Sequence, residues 1–215
     1  MGSPHTPDFA GLLGAITREL QASAIPFLVI GGQAVLLHGR PRLTEDIDLT
    51  LGVDPAALPR ILEACARLGL IPLPADVARF VAETFVLPAR HPETGIRVDL
   101  IFSTTPYEQQ AIRRAVPVTL DGTAVPFASA EDLLIHKLFA ARPRDLEDAL
   151  GVVRRTSVEL DWHYLEHWSR VFAEVPGRET MPTTIIELIT GIMPLRTPSP
   201  MASRAASQRV APWAS

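Results

Sequence analysis

Two aspartates, Asp46 and Asp48, stand two positions apart in LTEDIDLTL (residues 43–51), inside a run that otherwise reads as a buried β-strand. Side chains at i and i+2 of a strand leave on one face, so both carboxylates project together while Ile47 and Leu49 alternate with them. Like charges this close disfavour each other's ionisation unless a cation lies between them. A divalent ion with a preference for hard oxygen ligands is the natural neutraliser. A second strand-like run, GIRVDLIF (95–102), supplies Asp99 among apolar neighbours, on the face it shares with Arg97 and Ile101. Paired beside the first strand, it would let three carboxylates hold two magnesium ions roughly 3.5 to 4 Å apart, the arrangement that clamps attacking and leaving oxygens in phosphoryl transfer. The metal-free alternative has Asp46 capping a strand end, Asp48 facing solvent and Asp99 paired with an arginine.

Positioning these groups requires a sheet, and the surrounding pattern predicts one. Thr6 and Pro7 read as the cap and first position of a helix with Phe9, Leu12, Leu13, Ile16 and Leu20 on its apolar face. PFLVIGGQAVLLHG passes from an apolar strand, Phe27 to Ile30, through Gly31 and Gly32 into a short helix that stops at Gly39. Such a turn collects backbone N–H groups at a helix N-terminus and lets a phosphate approach closely, although an ordinary tight turn has the same sequence. Asp54 and Pro55 open a helix through Ile61, Leu62, Ala64, Cys65 and Leu68, and Pro72 and Pro74 then break the helical pattern. RFVAETFVL and GIRVDLIF are read as strands, Thr105 and Pro106 as a helix start, and Asp121-Gly122 as the turn of a hairpin. From Ser129 the pattern is helical through SAEDLLIHKLFAA, RDLEDALGVVRR, DWHYLEHWSRVFAEV and TTIIELITGI. The expected fold is therefore α/β (α+β): a small mixed sheet flanked by helices over residues 1–128, a helical region over 129–194, and a disordered Pro, Ser and Ala-rich tail over 195–215.

The chain has 215 residues, 47% of them apolar and 20% charged, which suits a globular protein with a substantial core. No apolar run approaches the roughly 20 residues needed to span a bilayer. The N-terminus lacks the basic and apolar regions of a secretory signal, and the single cysteine, Cys65, excludes an internal disulfide or a cysteine zinc cluster. A soluble, cytoplasmic protein with no membrane partner is expected. A formal charge of −4 argues against a broad nucleic-acid surface, so a polyanion would have to be met locally. Arg113, Arg114, Arg142, Arg144, Arg154 and Arg155 could form such a groove or simply a solvated helical face.

Taken together, the glycine pair, the short helix, Gly39, Arg42, Thr44, Asp46-Ile47-Asp48 and the distant Asp99 resemble the DNA polymerase β-like nucleotidyltransferase superfamily. GGQAVLLHGRPRLTEDIDL and ASAEDLLIHKLFAARPRDLEDA look like its branch holding the abortive-infection AbiEii toxins and related minimal nucleotidyltransferases. The resemblance spans about residues 10 to 150. It implies transfer of a nucleoside monophosphate from a nucleoside triphosphate to an acceptor hydroxyl, with Asp46, Asp48 and Asp99 binding two magnesium ions and Asp99 assisting deprotonation. Gly31 and Gly32 would hold the triphosphate, Arg42 and Thr44 would orient it or the catalytic strand, and Asp145 would support nucleotide binding. Many members carry Gly-Ser where this chain has Gly32-Gln33, so Gln33 or the backbone must replace a serine contact.

Lys137 is the one lysine among the 20 basic Lys and Arg residues. Set in HKLFAARPRDLEDA, it suggests that a compact ammonium is wanted, as for a triphosphate; the alternative is a residual surface lysine. Arg144 and Asp148 also read as a plain i, i+4 pair. Toxin relatives imply transfer RNA as acceptor and a cognate antitoxin as partner, whereas other superfamily members modify antibiotics or protein hydroxyls. A non-catalytic nucleotide- or partner-binding module is a further alternative. HYLEH fits an H-x-x-E-H zinc pattern through His163, Glu166 and His167, but three downstream glutamates are the only further acidic ligands before the tail, and chance is the simpler reading. Trp162, Tyr164 and Trp168 recur at helical spacing and read as core or partner-facing aromatics.

Overall fold

The structure is a computed structural model that describes residues 8–40, 44–156 and 160–191. The chain divides into two compact units, one formed by the described residues of 1–33 and 43–128, the other by those of 34–42 and 129–215. The described residues 34–40 fall in the second unit. Thr6, Pro7, Arg42 and the tail beyond Gly191 lie outside the described residues.

The first unit is built on a seven-stranded mixed sheet. In chain order its strands are β1 (Phe27–Ile30), β2 (Asp46–Leu51), β3 (Ile71–Pro72), β4 (Val86–Arg90), β5 (Arg97–Phe102), β6 (Val116–Leu120) and β7 (Thr123–Phe127). Across the sheet they lie in the order β3-β4-β5-β2-β1-β7-β6. The pairs β2–β5 and β1–β7 are parallel, and the remaining neighbours are antiparallel. Ile47, Leu49 and Leu51 of β2 and Val98 and Phe102 of β5 have no exposed surface, so the apolar side of these strands is fully enclosed. Alternation then forces Asp46 and Asp48 onto the opposite side. Helix α1 (Phe9–Ala22) is capped by the Asp8 side chain, which accepts from the Gly11 N–H, and packs Leu12, Leu13, Ile16 and Leu20 into the core. Asp54 caps a 3-10 turn, Pro55–Ala57, that leads into α3 (Leu58–Arg67). Cys65 is buried there, and burial pushes its thiol pKa up to about 11.

One segment corrects the sequence reading. Residues 79–87 were expected as a strand, but α4 runs over Val77–Thr84 and β4 begins only at Val86. The Asp76 carboxylate accepts from the Arg79 N–H and starts the helix, and Phe85, in the left-handed conformation (φ 58°), ends it. The valines and phenylalanines that suggested a strand are thereby shared between one helix and the start of the next strand. Nor did the prolines near position 72 only break structure. Pro72 lies in β3 at one edge of the sheet and Pro117 in β6 at the other, where among the described residues no further strand pairs alongside. Helix α5 (Pro106–Arg113) starts at Thr105 as expected, and β6 and β7 form the hairpin around Asp121-Gly122.

The second unit contains most of α2 (Gly31–His38), with α6 (Ala130–Ala140), α7 (Pro143–Thr156), α8 (Trp162–Ala173) and α9 (Met181–Thr190). Ser129 caps α6 by accepting from the Asp132 N–H. Helix α6 touches α7, α8 and α9 and is buried almost all round, which explains why it lacks a polar face. Its polar groups are answered internally: Ser129 Oγ donates to Asp132 Oδ2 (2.7 Å), Tyr164 Oη donates to Asp132 Oδ1 (2.7 Å), and the Asp161 N–H donates to Glu131 Oε1 (3.0 Å). Tyr164 and Trp168 are buried as core aromatics of α8.

His136 is half-buried on α6 with its Nε2 shielded from solvent, and burial, the largest influence on it, pushes its pKa down from 6.5 to about 4. The unfolded chain therefore takes up this proton first as the pH falls. The contribution of a neutral His136 is complete above pH 6.5 and is lost between there and pH 4. The loss is expected to reach about 3 kcal/mol, with a shallower pH slope in His136→Gln, as read by chemical denaturation across that range.

Candidate functional site

The parallel register of β2 and β5 sets Asp46 opposite Arg97 and Asp48 opposite Asp99, so all four side chains leave on one face of the sheet. Asp46 is exposed and Asp48 half-buried, and the Asp99 side chain retains 19% of its surface. Gly31 closes this face from the β1 side. Its neighbour Ile30 pairs with Asp48 across the sheet, and Gly31 itself adopts φ +64°. A Cβ at Gly31 would collide with the Asp48 carboxylate, so only glycine permits this carboxylate to lie against the start of α2. Gly32 comes next, buried in the first turn of the helix.

Two further sequence candidates gather at one backbone oxygen. Gln33 Nε2 and Thr44 Oγ1 each donate to the Asp46 carbonyl over 3.5 Å. Both bonds are long, and together they brace the first residue of β2. Gln33, 7% exposed, thus faces the strand that carries the aspartates.

The face carries its own cation. Arg97 Nε donates to Asp99 Oδ1 at 2.8 Å. That hydrogen bond, ahead of the fields of Asp99, Asp46 and Asp48, raises the Arg97 pKa against the opposing effect of burial. Of the metal-free alternatives, the pairing of Asp99 with an arginine is therefore present. The three aspartates share a face as expected, but among the described residues no three acidic, histidine or cysteine side chains are placed to hold one ion together. The donor set still suits a hard divalent cation: three carboxylates with one guanidinium between them leave negative charge in excess, and the ligand atoms are all oxygen. The spacing of Arg97 and Asp99 was visible in the sequence, whereas their bond was not.

Lys137, Asp145 and Asp148 form a separate cluster within the helical unit. Lys137 Nζ lies 2.9 Å from Asp145 Oδ1 and 2.9 Å from Asp148 Oδ2, and all three side chains are at most 7% exposed. Asp145 also accepts from Arg142. Burial alone would raise the Asp145 pKa, but Arg142 and Lys137 outweigh it and hold it below the usual carboxylate range. Lys137 is thus not the surface lysine of the simpler reading, and Asp148 serves the ammonium in addition to any helix pair with Arg144. Of the arginines suggested for a groove, Arg142 is committed to Asp145 and Arg155 to the Gly39 carbonyl. His163, Glu166 and His167 lie on α8, where Glu166 pairs with Arg170, and no metal-holding group forms there among the described residues.

Truncating the ammonium in Lys137→Ala would leave two buried carboxylates facing each other, at an expected cost of about 3 to 5 kcal/mol in urea denaturation. Lys137→Met combined with Asp148→Leu should lose less, because it removes charge of both signs.

A model of the nucleotidyl transferase AbiEii toxin family, described as a type IV toxin–antitoxin system, matches residues 15–199. No curated protein matches the chain. Among solved structures, an antigenic nucleotidyltransferase-like protein from Paracoccidioides brasiliensis aligns with a TM-score of 0.56 at 15% identity, covering 85% of this chain and 89% of that one. The lincosamide antibiotic adenylyltransferase LnuA aligns at a TM-score of 0.47 and 16% identity over 66% of this chain and 94% of that one. JHP933 from Helicobacter pylori does so at 0.45 and 17% over 91% and 87%. At 15% identity the first of these likenesses speaks to the fold alone. No helix among the described residues is long and apolar enough to cross a membrane. With the family model spanning most of its length, the chain belongs to the AbiEii nucleotidyltransferase family and is a nucleotidyl-transfer enzyme.

Proposed function

We propose that this enzyme uses Asp46, Asp48 and Asp99 to hold magnesium and a nucleoside triphosphate, and that it is the toxin of a toxin–antitoxin pair with transfer RNA as its acceptor. The observation that carries the reading is the register that places Asp48 beside Asp99 on one face, closed at its edge by the Gly31 turn. Magnesium bound there would screen the phosphate charge and stabilise both attacking and leaving oxygens.

The residues of the chain would do the rest. Backbone N–H groups after Gly31 and Gly32 point along the start of α2 and suit phosphate oxygens. Asp99 takes the proton of the acceptor hydroxyl, whose oxygen bonds to the α-phosphorus as the bond to the bridging oxygen breaks and pyrophosphate leaves. Thr44 and Gln33 keep Asp46 in place through its carbonyl. Arg42, Lys137 and Asp145 enter through the family resemblance alone, which implies that Arg42 orients the triphosphate or the catalytic strand and that Lys137 and Asp145 serve nucleotide binding; within its own unit Asp145 fixes the Lys137 ammonium. The family's description as a type IV toxin–antitoxin system supports the toxin reading and an antitoxin partner; a cytoplasmic location is part of the proposal.

Incubation with magnesium, each α-labelled nucleoside triphosphate in turn and total transfer RNA tests the acceptor. Label is expected on RNA with the native chain and absent with Asp46→Ala/Asp48→Ala. Label on an antibiotic or a protein instead would reject the RNA acceptor, and equal growth inhibition by the native chain and Asp48→Ala would reject the toxin reading. Gly31→Ala is expected to abolish transfer, because the new methyl group displaces Asp48 and the backbone loses an accessible positive φ; circular dichroism would show whether the sheet survives.

A further inference from the structure

Three aspartates and one arginine share the β2–β5 face, and the arginine bonds directly to one of them, Asp99. Arg97 stands opposite Asp46, reaches along its own strand to Asp99 at 2.8 Å, and is 44% exposed at the side chain. Every one of the three carboxylates acts on it electrostatically. A cation bridging Asp48 and Asp99 would therefore compete for a carboxylate that Arg97 already holds through Oδ1. Three like charges beside one another also need a counter-ion before any metal arrives.

We infer that Arg97 is the built-in counter-ion of the carboxylate face and exchanges with the divalent metal: it holds Asp99 in the metal-free enzyme and releases it when the metal enters. This inference rests on the metal-binding reading of Asp46, Asp48 and Asp99. Arg97 is then a positioning residue that acts through Asp99. Its long side chain and partial exposure give the guanidinium room to turn toward solvent when displaced. The exchange ties metal loading to the readiness of Asp99, since the carboxylate that takes the acceptor proton becomes available only as Arg97 leaves. It also sets metal affinity below what three unopposed carboxylates would give.

The test is titration of the full chain with manganese alone, without nucleotide, by calorimetry, for the native enzyme, Arg97→Gln and Arg97→Lys, with Asp46→Asn/Asp48→Asn as control. Arg97→Gln is expected to bind manganese about tenfold more tightly and Arg97→Lys to fall between the two. In chelator, Arg97→Gln should melt several degrees below the native chain and recover that loss when manganese is added, a signature that simple structural damage would not produce. Equal or weaker manganese binding by folded Arg97→Gln, with the native chain binding normally, overturns the exchange and leaves the metal site standing. Manganese binding that survives in the Asp46→Asn/Asp48→Asn control, or is absent from every variant, overturns the metal reading itself.

Discussion

The parallel pairing of β2 with β5 is the contact on which the candidate site depends. Asp46 and Asp48 belong to one strand and Asp99 to another some fifty residues later, and only the register joins them. Because side chains alternate, a slip of one residue would turn Asp99 into the apolar side and bring Val98 or Leu100 to the face. The register is held by the packing on the other side: Ile47, Leu49, Val98 and Leu100 are enclosed almost completely, and exposing them would cost far more than any single polar contact on the site side could return. Burial on one surface of the sheet thus aims the carboxylates on the other.

Electrostatics then limits how that face can exist. Three carboxylates and a guanidinium lie within one small area, with the Gly31 backbone pressed against Asp48. A side chain at Gly31 would occupy the space of the Asp48 carboxylate, so the turn that suits phosphate and the strand that suits a cation are one steric unit. The same crowding makes the face a poor resting place for negative charge alone. Arg97 relieves it in the protein as it stands, which is why the donor set is suited to a metal without being assembled around one.

The helical unit treats charge differently. Lys137, Asp145 and Asp148 are almost completely buried, and their stability relies on mutual bonding, with Arg142 outside. Asp132 is likewise held by Ser129 and Tyr164, and Glu131 by the Asp161 backbone. Helix α6 thereby places ionisable groups where an amphipathic helix would place leucines. Glu131, Asp132 and Lys137 are each matched, and the matching ties α6 to α7 and α8 with directional bonds that hydrophobic packing alone would not provide.

Local rules were enough for much of this protein. The i, i+2 spacing of Asp46 and Asp48, the strand and glycine turn before them, the caps at Asp54, Thr105 and Ser129 and the Asp121-Gly122 hairpin are all decided by neighbours within a few residues, and the sequence alone determined them. It also carried the family pattern. Residues 79–87 depart from the strand expectation because a mixed run of valine, phenylalanine and alanine satisfies both periods; the Asp76 cap and the left-handed Phe85 decide it as helix. The tertiary structure alone decided the relations between distant residues: Asp99 beside Asp48, Gly31 against Asp48, Arg97 bonded to Asp99 as well as sharing its face, and the lone lysine buried between two aspartates. Their physical cause is register and burial, which depend on how whole strands and helices pack and leave no mark at a single position.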